Sequence, residues 1–477
     1  MKKSFRSLCI VLILVTVLSS VNSQTLQPYG QLPTKDQLDW QELEYYMFIH
    51  FGPNTFTDKE WGMGNEDPKV FNPTHLDANQ WAATAKKAGM KGIIITAKHH
   101  DGFCLWPSKY STHTVRESAW KNGKGDVLRE LSKACKKYGL LFGVYLSPWD
   151  RNHPAYGTPE YNQIYANTLR EVHENYGQVF EQWFDGANGE GPSGKKQEYD
   201  WPLFHKTVLD IHPHCIMFSD VGPGCRWVGN ERGYAGVTNW STLNVEGFTP
   251  GAGSPPLQVL NKGVEDGEKW VPAECDVSIR PGWFYSPSTD DQVKSLKELT
   301  DIYFASVGRN GNFLLNVPVD REGLIHPNDS TRLMEFRQLL DAAFARNLIL
   351  NKIVQTSSNH SDPESQPNHL TDGKPETFWA AATIKAEMVI PVNPADTFNV
   401  LSLEEYLPLG QRVKSFAVDI WKDGQYQLIA RQTTIGHKRL LRFPALSTDK
   451  IRIRILDGKD VPVLREVELY YAKDLPN

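Results

Sequence analysis

The chain has 477 residues, of which 40% are hydrophobic, 22% are charged and 11% are aromatic, including 14 Trp. This composition is typical of a globular protein and excludes collagen-like, coiled-coil and intrinsically disordered chains. The formal net charge of −5 and the lack of a basic run argue against a nucleic-acid partner. At about 150 residues per domain, the length predicts two or three domains, or one large barrel with an attachment.

The N-terminus predicts export. Basic residues precede the apolar run Leu8–Leu18, which is shorter than the roughly 20 residues that span a bilayer, and small or polar residues follow it. Val21 and Ser23 suit the −3 and −1 positions of a signal-peptidase site. We therefore predict a signal peptide over residues 1–23 and a periplasmic or extracellular mature protein. No later segment predicts a membrane span, so no membrane partner is expected.

The five cysteines after the signal do not form a disulfide framework. They are widely spaced, odd in number and contain no CxxC or Cys/His pattern of structural zinc. At most one bridge, between Cys215 and Cys225, is conceivable. We expect buried free thiols.

Residues 24–346 alternate between strand and helix patterns. Seven runs predict strands: Tyr45–Gly52, Gly92–Gly102, Leu140–Asp150, Val179–Gly186, Cys215–Asp220, Trp270–Val277 and Asn312–Val319. Six stretches predict helices: Asn79–Gly89, Asp126–Gly139, Tyr161–Tyr176, Trp201–Ile211, Asp291–Gly308 and Ser330–Arg346. Apolar strands separated by helices indicate a parallel sheet, and about 300 residues of this pattern favour a (β/α)8-like, TIM-type barrel. The Gly- and Pro-rich stretch Gly222–Pro256 predicts an irregular part of that barrel.

Residues 347–477 show a different pattern. Short alternating runs replace the helical stretches, and Asp423-Gly424 lies between two of them as a hairpin signal. We predict a C-terminal all-β sandwich of the galactose-binding-like type.

Ionisable residues follow several of the predicted barrel strands, where the catalytic groups of such barrels lie. Asp185 is the best single candidate, because it follows Trp183 and Phe184 directly and precedes Gly186. A carboxylate in that position can act as a nucleophile or a metal ligand, although a turn Asp is the ordinary alternative.

The pair His99-His100 is the second signal. Adjacent residues on a strand point in opposite directions, so we expect at most one of the two to face the barrel axis. A metal-dependent hydrolase built on His99, His100 and Asp101 is an alternative. The sequence lacks HExxH and HxH patterns, so we expect no metal and favour hydrogen bonding to a polyol.

Three segments resemble the α-L-fucosidases of glycoside hydrolase family 29: FIHFGPNTF (Phe48–Phe56), AKHHDGFCLWPSKYS (Ala97–Ser111) and EQWFDGANG (Glu181–Gly189). GVYLSPWD (Gly143–Asp150) and RWVGNERG (Arg226–Gly233) add to the resemblance, which covers about Leu38 to Arg346. The RWVGNE form is similar to the subfamily that removes α-1,3- and α-1,4-linked fucose from branched, Lewis-type glycans.

This resemblance implies a retaining mechanism with two carboxyl groups and a fucosyl-enzyme intermediate. Asp185 matches the nucleophile of the family. Glu231 in GNERG matches the acid/base of the α-1,3/4 subfamily, and Glu274, at an expected strand end, is the runner-up. Glu246 and Glu190 are further alternatives.

The same match implies a set of fucose-binding residues: His50, Trp61, His99, His100, Tyr145, Trp183 and Trp283. For Trp61 and Trp283 a packing role is an equal alternative. The segment TDGKPETFW (Thr371–Trp379) resembles discoidin or carbohydrate-binding modules, which sometimes bind calcium or glycan; we prefer a bracing role here. No other cofactor is expected.

The leading hypothesis is therefore a secreted α-L-fucosidase for Lewis-type oligosaccharides and glycoconjugates. A broad fucosidase that accepts simple aryl fucosides is the alternative within the same class. A non-catalytic glycan-binding protein is the alternative from a different class. The sequence leaves the oligomeric state open.

Overall fold

The computed structural model describes residues 24–476 and contains a closed barrel of eight parallel strands. The barrel strands are β1 (Tyr45–Ile49), β2 (Gly92–Lys98), β3 (Leu141–Leu146), β4 (Glu181–Trp183), β5 (Ile216–Ser219), β6 (Cys225–Trp227), β7 (Ala273–Ser278) and β8 (Gly311–Asn316). They are hydrogen-bonded in chain order, and β8 closes the barrel against β1. The predicted TIM-type fold is confirmed.

The helices around the barrel include all six that the sequence predicts. The nine α-helices that the structure describes are α1 (Lys35–Gln41), α2 (Pro53–Thr57), α3 (Ala78–Lys87), α4 (Val127–Tyr138), α5 (Pro159–Asn175), α6 (Trp201–Ile211), α7 (Leu257–Lys262), α8 (Leu296–Ala305) and α9 (Pro327–Ala343). In α4 the Asp126 side chain caps the N-terminus by accepting from Arg129 N, and Gly139 ends the helix at φ 65°.

The sequence patterns reveal seven strands, and the eighth, β6, lies inside the Gly- and Pro-rich stretch. No helix separates β5 from β6, and β6 has only three residues, too few for a periodic signal. Arg226 in its centre is fully buried. Its guanidinium donates to the carbonyl oxygens of Leu260 (2.9 Å) and Trp240 (3.0 Å), which fixes the irregular chain that follows β6.

The C-terminal region is a sandwich of two antiparallel sheets, as predicted. Its strands are β9 (Gln355–Thr356), β10 (Trp379–Ala380), β11 (Ala386–Pro391), β12 (Phe398–Glu405), β13 (Val413–Lys422), β14 (Gln425–Gln432), β15 (Arg439–Leu446), β16 (Lys450–Gly458) and β17 (Val463–Tyr470). One sheet has the order β9-β11-β16-β13-β14 and the other β10-β17-β12-β15. Asp423 and Gly424 form the tight turn of the β13–β14 hairpin with φ values of 52° and 77°, as two-residue hairpin loops require.

The sandwich contacts the barrel at the N-terminal ends of its strands, opposite the end where TIM-barrel active sites lie. Glu44 directly precedes β1 and forms an ion pair with Lys438 of the sandwich, with 2.5 Å between Glu44 Oε1 and Lys438 Nζ. Asn310 directly precedes β8, and its side-chain oxygen accepts from His437 N at 2.7 Å. Asn239, on the long β6–β7 connection, donates its backbone N–H to Thr434 Oγ1.

The five cysteines of residues 24–476 are free and buried, as expected. Within the same residues, no helix has both the length and the hydropathy needed to cross a bilayer. The predicted signal peptide lies outside the described residues.

Candidate active site

The residues that the sequence places at strand ends meet at the C-terminal end of the barrel. His50 follows β1, His99 and His100 follow β2, and Tyr145 is the penultimate residue of β3. Asp185 lies two residues beyond β4. Because the strands are parallel, their C-terminal ends all lie at the same end of the barrel.

Asp185 is held by donors on two sides. The Tyr145 hydroxyl donates to Oδ2 at 2.9 Å, and the backbone N–H of Ala187 donates to Oδ1 at 2.7 Å. His100 Nε2 lies 3.6 Å from Oδ2. The Asp185 side chain keeps 25% of its surface exposed. The Ala187 contact is that of a turn residue, but the bond from Tyr145 and the exposed surface also make Asp185 an oriented and accessible carboxylate, as a nucleophile requires.

Both His99 and His100 lie in this site, so the expectation that only one of them would face it is wrong. Strand β2 ends at Lys98, and its pairing with β3 shifts between Thr96 and Lys98, so strand alternation does not extend to the pair. The two rings are only 4.2 Å apart. His99 stacks on Tyr145 with a ring separation of 5.7 Å, and His100 Nδ1 is hydrogen-bonded to Ser147 Oγ at 2.7 Å.

Burial keeps the three histidines neutral. It lowers the pKa of His50 to about 3 despite the hydrogen bond from Nδ1 to Asn316 Oδ1. It lowers the pKa of His100 to about 4, although the charge of Asp185 opposes the shift. The pKa of His99 is also well below its ordinary value, through burial and its histidine neighbours. A neutral imidazole offers one donor and one acceptor, which suits binding of sugar hydroxyls.

Aromatic rings surround the carboxylate. Trp183 is stacked between Phe218, at a centroid distance of 3.8 Å, and Tyr145, at 5.3 Å. Trp61 is 54% exposed and contacts the His100 ring edge-on at 5.4 Å. Trp283 lies 5.1 Å from the His50 ring. Trp61 and Trp283 therefore lie beside the histidines, and Trp183 lies beside Tyr145.

Glu231 shares a cavity with Asp185. It lies in the loop after β6, and the Trp283 indole N–H donates to its Oε2 at 3.2 Å. The cavity has a volume of about 220 Å³ and is lined by Trp183, Asp185, Gly186, Ala187, Phe218, Asp220, Trp227, Glu231 and Asp276. None of the three histidines lines it, so it lies on the Glu231 side of Asp185.

Two carboxyl groups of this cavity were not singled out by the sequence analysis as functional. Burial and the charge of Asp185 raise the pKa of Asp220 to about 6. Burial, with the charges of Glu231 and Glu274, holds the pKa of Asp276 well above its ordinary value. Asp220 ends a predicted strand and so is among the ionisable residues expected at the barrel mouth, although the sequence assigns it no role. Asp276 is an internal strand residue and gives no such signal.

Glu274, the runner-up acid/base, is not at a strand end. It is the second of the six residues of β7, and its exposed surface is 0%. Its carboxylate accepts hydrogen bonds from the Trp183 indole N–H at 2.7 Å and from the Tyr46 hydroxyl. It therefore lies below the site rather than in it. Glu246 and Glu190 are exposed loop residues and do not line the cavity.

One group of three potential metal ligands occurs within residues 24–476, formed by Glu181, Cys225 and Glu274. His99, His100 and Asp101 do not form such a group. Asp101 instead accepts from the backbone N–H of Phe103 at 2.7 Å, as a turn residue.

The chain is similar to known proteins over most of its length. Residues 19–343 match the family model for α-L-fucosidase. α-L-Fucosidase 1 of Arabidopsis thaliana is 42% identical over 466 residues, covering 95% of this chain and 91% of the plant protein.

Two solved structures have the same fold throughout. A glycoside hydrolase 29 family member from an unknown rumen bacterium is 43% identical with a TM-score of 0.83, covering 94% of this chain and 79% of that chain. A glycoside hydrolase 29 fucosidase of Ruminococcus gnavus in complex with fucose is 33% identical with a TM-score of 0.85, covering 96% and 98%. The chain belongs to the α-L-fucosidases of glycoside hydrolase family 29.

Proposed function

We propose that this enzyme is a retaining α-L-fucosidase that removes terminal α-1,3- and α-1,4-linked L-fucose from Lewis-type oligosaccharides and glycoconjugates. Asp185 is the nucleophile and Glu231 is the acid/base. The observation that carries the assignment is the cavity that Asp185 and Glu231 line together.

Asp185 attacks the anomeric carbon and forms a fucosyl ester, while the protonated Glu231 gives its proton to the leaving oxygen. Glu231 then takes a proton from the water that hydrolyses the ester. The Tyr145 hydroxyl and the Ala187 N–H orient the two oxygens of Asp185 before attack. The indole N–H of Trp283 donates to Oε2 of Glu231 and orients its carboxyl group.

The fucose-binding groups lie around Asp185. Neutral His50, His99 and His100 bind hydroxyl groups, and the aromatic surfaces of Trp61 and Trp283 suit the apolar C5 methyl group of a 6-deoxy sugar. The fucose complex of the Ruminococcus gnavus relative supports a fucose-containing substrate.

The linkage preference draws support from the cavity on the Glu231 side. Its carboxyl groups can accept hydrogen bonds from the hydroxyls of a second sugar, so a branched glycan gains contacts there that an aryl group does not. The decisive comparison is kcat/KM for an aryl fucoside and for a Lewis-type trisaccharide. Preference for the trisaccharide supports the proposal, and equal or better use of the aryl fucoside indicates a broad fucosidase.

The catalytic assignment is tested by variants and trapping. Asp185→Ala should abolish turnover and leave fucose binding measurable, and a mechanism-based fluoro-fucoside should label Asp185 in the wild-type enzyme. For Glu231→Ala, azide should restore turnover and give a fucosyl azide. Azide should not give this product with the Asp185 variants or with Glu274→Ala. Retained turnover of the Asp185 variant would exclude the proposed nucleophile.

We also propose that the enzyme is exported to the periplasm or outside the cell, and that the sandwich braces the barrel. The docking of the sandwich on the end of the barrel opposite Asp185 supports bracing rather than a direct part in fucose binding. Detection of the mature N-terminus near residue 24 in an exported fraction would test the signal peptide.

A further inference from the structure

Two glutamates lie against each other inside the barrel. Glu181 is the first residue of β4 and Glu274 the second of β7, and both have 0% of their surface exposed. Their carboxyl oxygens and the Cys225 sulfur all lie within 4.8 Å of one another. Two ionised carboxylates at such a distance repel strongly in a medium of low dielectric constant, so one proton is retained between them.

The hydrogen bonds favour Glu181 as the carboxyl group that holds the proton. Glu274 accepts from two donors, the indole of Trp183 and the hydroxyl of Tyr46. Glu181 accepts from the Trp40 indole through Oε2 at 2.8 Å, and its Oε1 has no hydrogen-bond partner within the described residues. A proton on Glu181 can be donated to Glu274, whose carboxyl group is a hydrogen-bond partner of Glu181. Burial raises the pKa of both groups, and the charge and hydrogen bond of Glu274 raise that of Glu181 further.

The hydrogen-bond donors that point at Glu181 and Glu274 also argue against a metal ion bound between them. Indole N–H and phenol O–H groups occupy the outward faces of the two carboxyl groups and would point protons at a bound metal ion. A negatively charged acceptor suits those donors, since hydrogen bonds to ionised groups are the stronger ones.

The pair is connected to the nucleophile through two aromatic residues. Trp183 donates to Glu274 at 2.7 Å and stacks on Tyr145 at 5.3 Å, and Tyr145 donates to Asp185 at 2.9 Å. Phe218 holds the other face of the indole. The in-plane hydrogen bond to Glu274 is therefore what fixes the rotation of the indole within its stack.

We propose that Glu181 and Glu274 form a buried carboxyl–carboxylate pair that shares one proton and positions the nucleophile through Trp183 and Tyr145. Glu274 is then a positioning residue and not the acid/base. This inference rests on the proposed role of Asp185.

The first test is a double-mutant cycle with Glu274→Gln and Trp183→Phe, assayed on an aryl fucoside. A displacement of catalytic groups by about 1 Å can cost about 100-fold, so we expect Glu274→Gln to lower kcat about 10- to 100-fold with little change in KM. The double variant should be no slower than the slower single variant, because both remove the same hydrogen bond. A near wild-type kcat for Glu274→Gln, or effects that multiply in the double variant, would overturn the proposal.

The matched control is Glu405→Gln. Glu405 is also buried and accepts three backbone N–H bonds, but in the sandwich, far along the chain from the site. With active sites counted by fluoro-fucoside labelling, this variant should lose stability and keep the kcat of each folded molecule. An equal loss of kcat in both variants would make Glu274 a merely structural residue.

The second test places the proton and does not require Glu274 variants to fold. Glutamine mimics a protonated carboxyl group, so Glu181→Gln should keep nearly the wild-type kcat. Infrared difference spectra of wild type against Glu181→Gln should show the carbonyl stretch of one protonated carboxyl group at neutral pH. Absence of that band would refute the shared proton, whereas retained turnover of Asp185→Ala would refute only the nucleophile assignment on which the positioning role depends.

Discussion

Lys438 forms ion pairs with a glutamate of each domain, and its replacement should lower the free energy of unfolding. Its ammonium group lies 2.5 Å from Glu44 of the barrel and 3.2 Å from Glu404 of the sandwich. The exposed fractions of the three side chains are 19%, 22% and 8%. Lys438→Met therefore leaves two largely buried carboxylates without their shared cation. Breaking such a pair on one side costs about 3–5 kcal/mol of unfolding free energy.

The loss should depend on pH in a defined way. Burial alone would raise the pKa of Glu44, but the charges of Lys438 and His437 outweigh it and bring the pKa well below its ordinary value. That stabilisation is present above the unfolded pKa of about 4.5 and is lost as the pH falls. The pKa of Lys438 is raised, so its contribution persists at alkaline pH until its folded pKa is approached. The difference between wild type and variant should thus be largest between about pH 5 and pH 10.

The assay is urea unfolding followed by tryptophan fluorescence at several pH values. The barrel site should stay intact, so kcat measured below the unfolding transition should change little. Lys438→Met with Glu44→Gln should recover part of the loss, because Glu44 is then uncharged and Glu404 keeps its ion pair with Arg465. A loss under about 1 kcal/mol at pH 7, or one that does not shrink at low pH, would refute the reasoning.

Three further outcomes follow from the site. Trp61→Ala should raise KM with little loss of stability, since the ring is 54% exposed; calorimetry and kinetics check this, and unchanged KM would favour a packing role. Trp283→Phe removes the hydrogen bond that orients the Glu231 carboxyl group and should lower kcat on an aryl fucoside; an unchanged kcat in steady-state kinetics would contradict that role. Asp220→Asn should raise the unfolding free energy at pH 7 by about 1 kcal/mol and leave it nearly unchanged at pH 4, because the pKa of about 6 beside Asp185 marks an unfavourable buried charge above that pH.

Much of the fold was predictable because the helices carry long, capped patterns. The α4 stretch has an Asp before its first turn and a Gly after its last, and both have the predicted capping roles. Strand β6 could not be found in the same way. Its three residues are held by the side-chain bonds of Arg226 to distant carbonyl groups, and such contacts leave no periodic signal in the sequence.

The candidate site was predictable where a residue follows a strand and uncertain where it lies within one. Asp185 and the histidines come after their strands, so their position at the barrel mouth does not depend on strand register. Glu274, Asp276 and Ser278 alternate along β7 and form a column from the interior to the mouth. Only the register decides their depth: Ser278 pairs with Asn316 at the end of β8, and Glu274 pairs with Asn312 four residues earlier. Four residues at about 3.3 Å each place Glu274 roughly 13 Å from Ser278 along the tilted strand, too deep for contact with a sugar and suitable for orienting the groups above it.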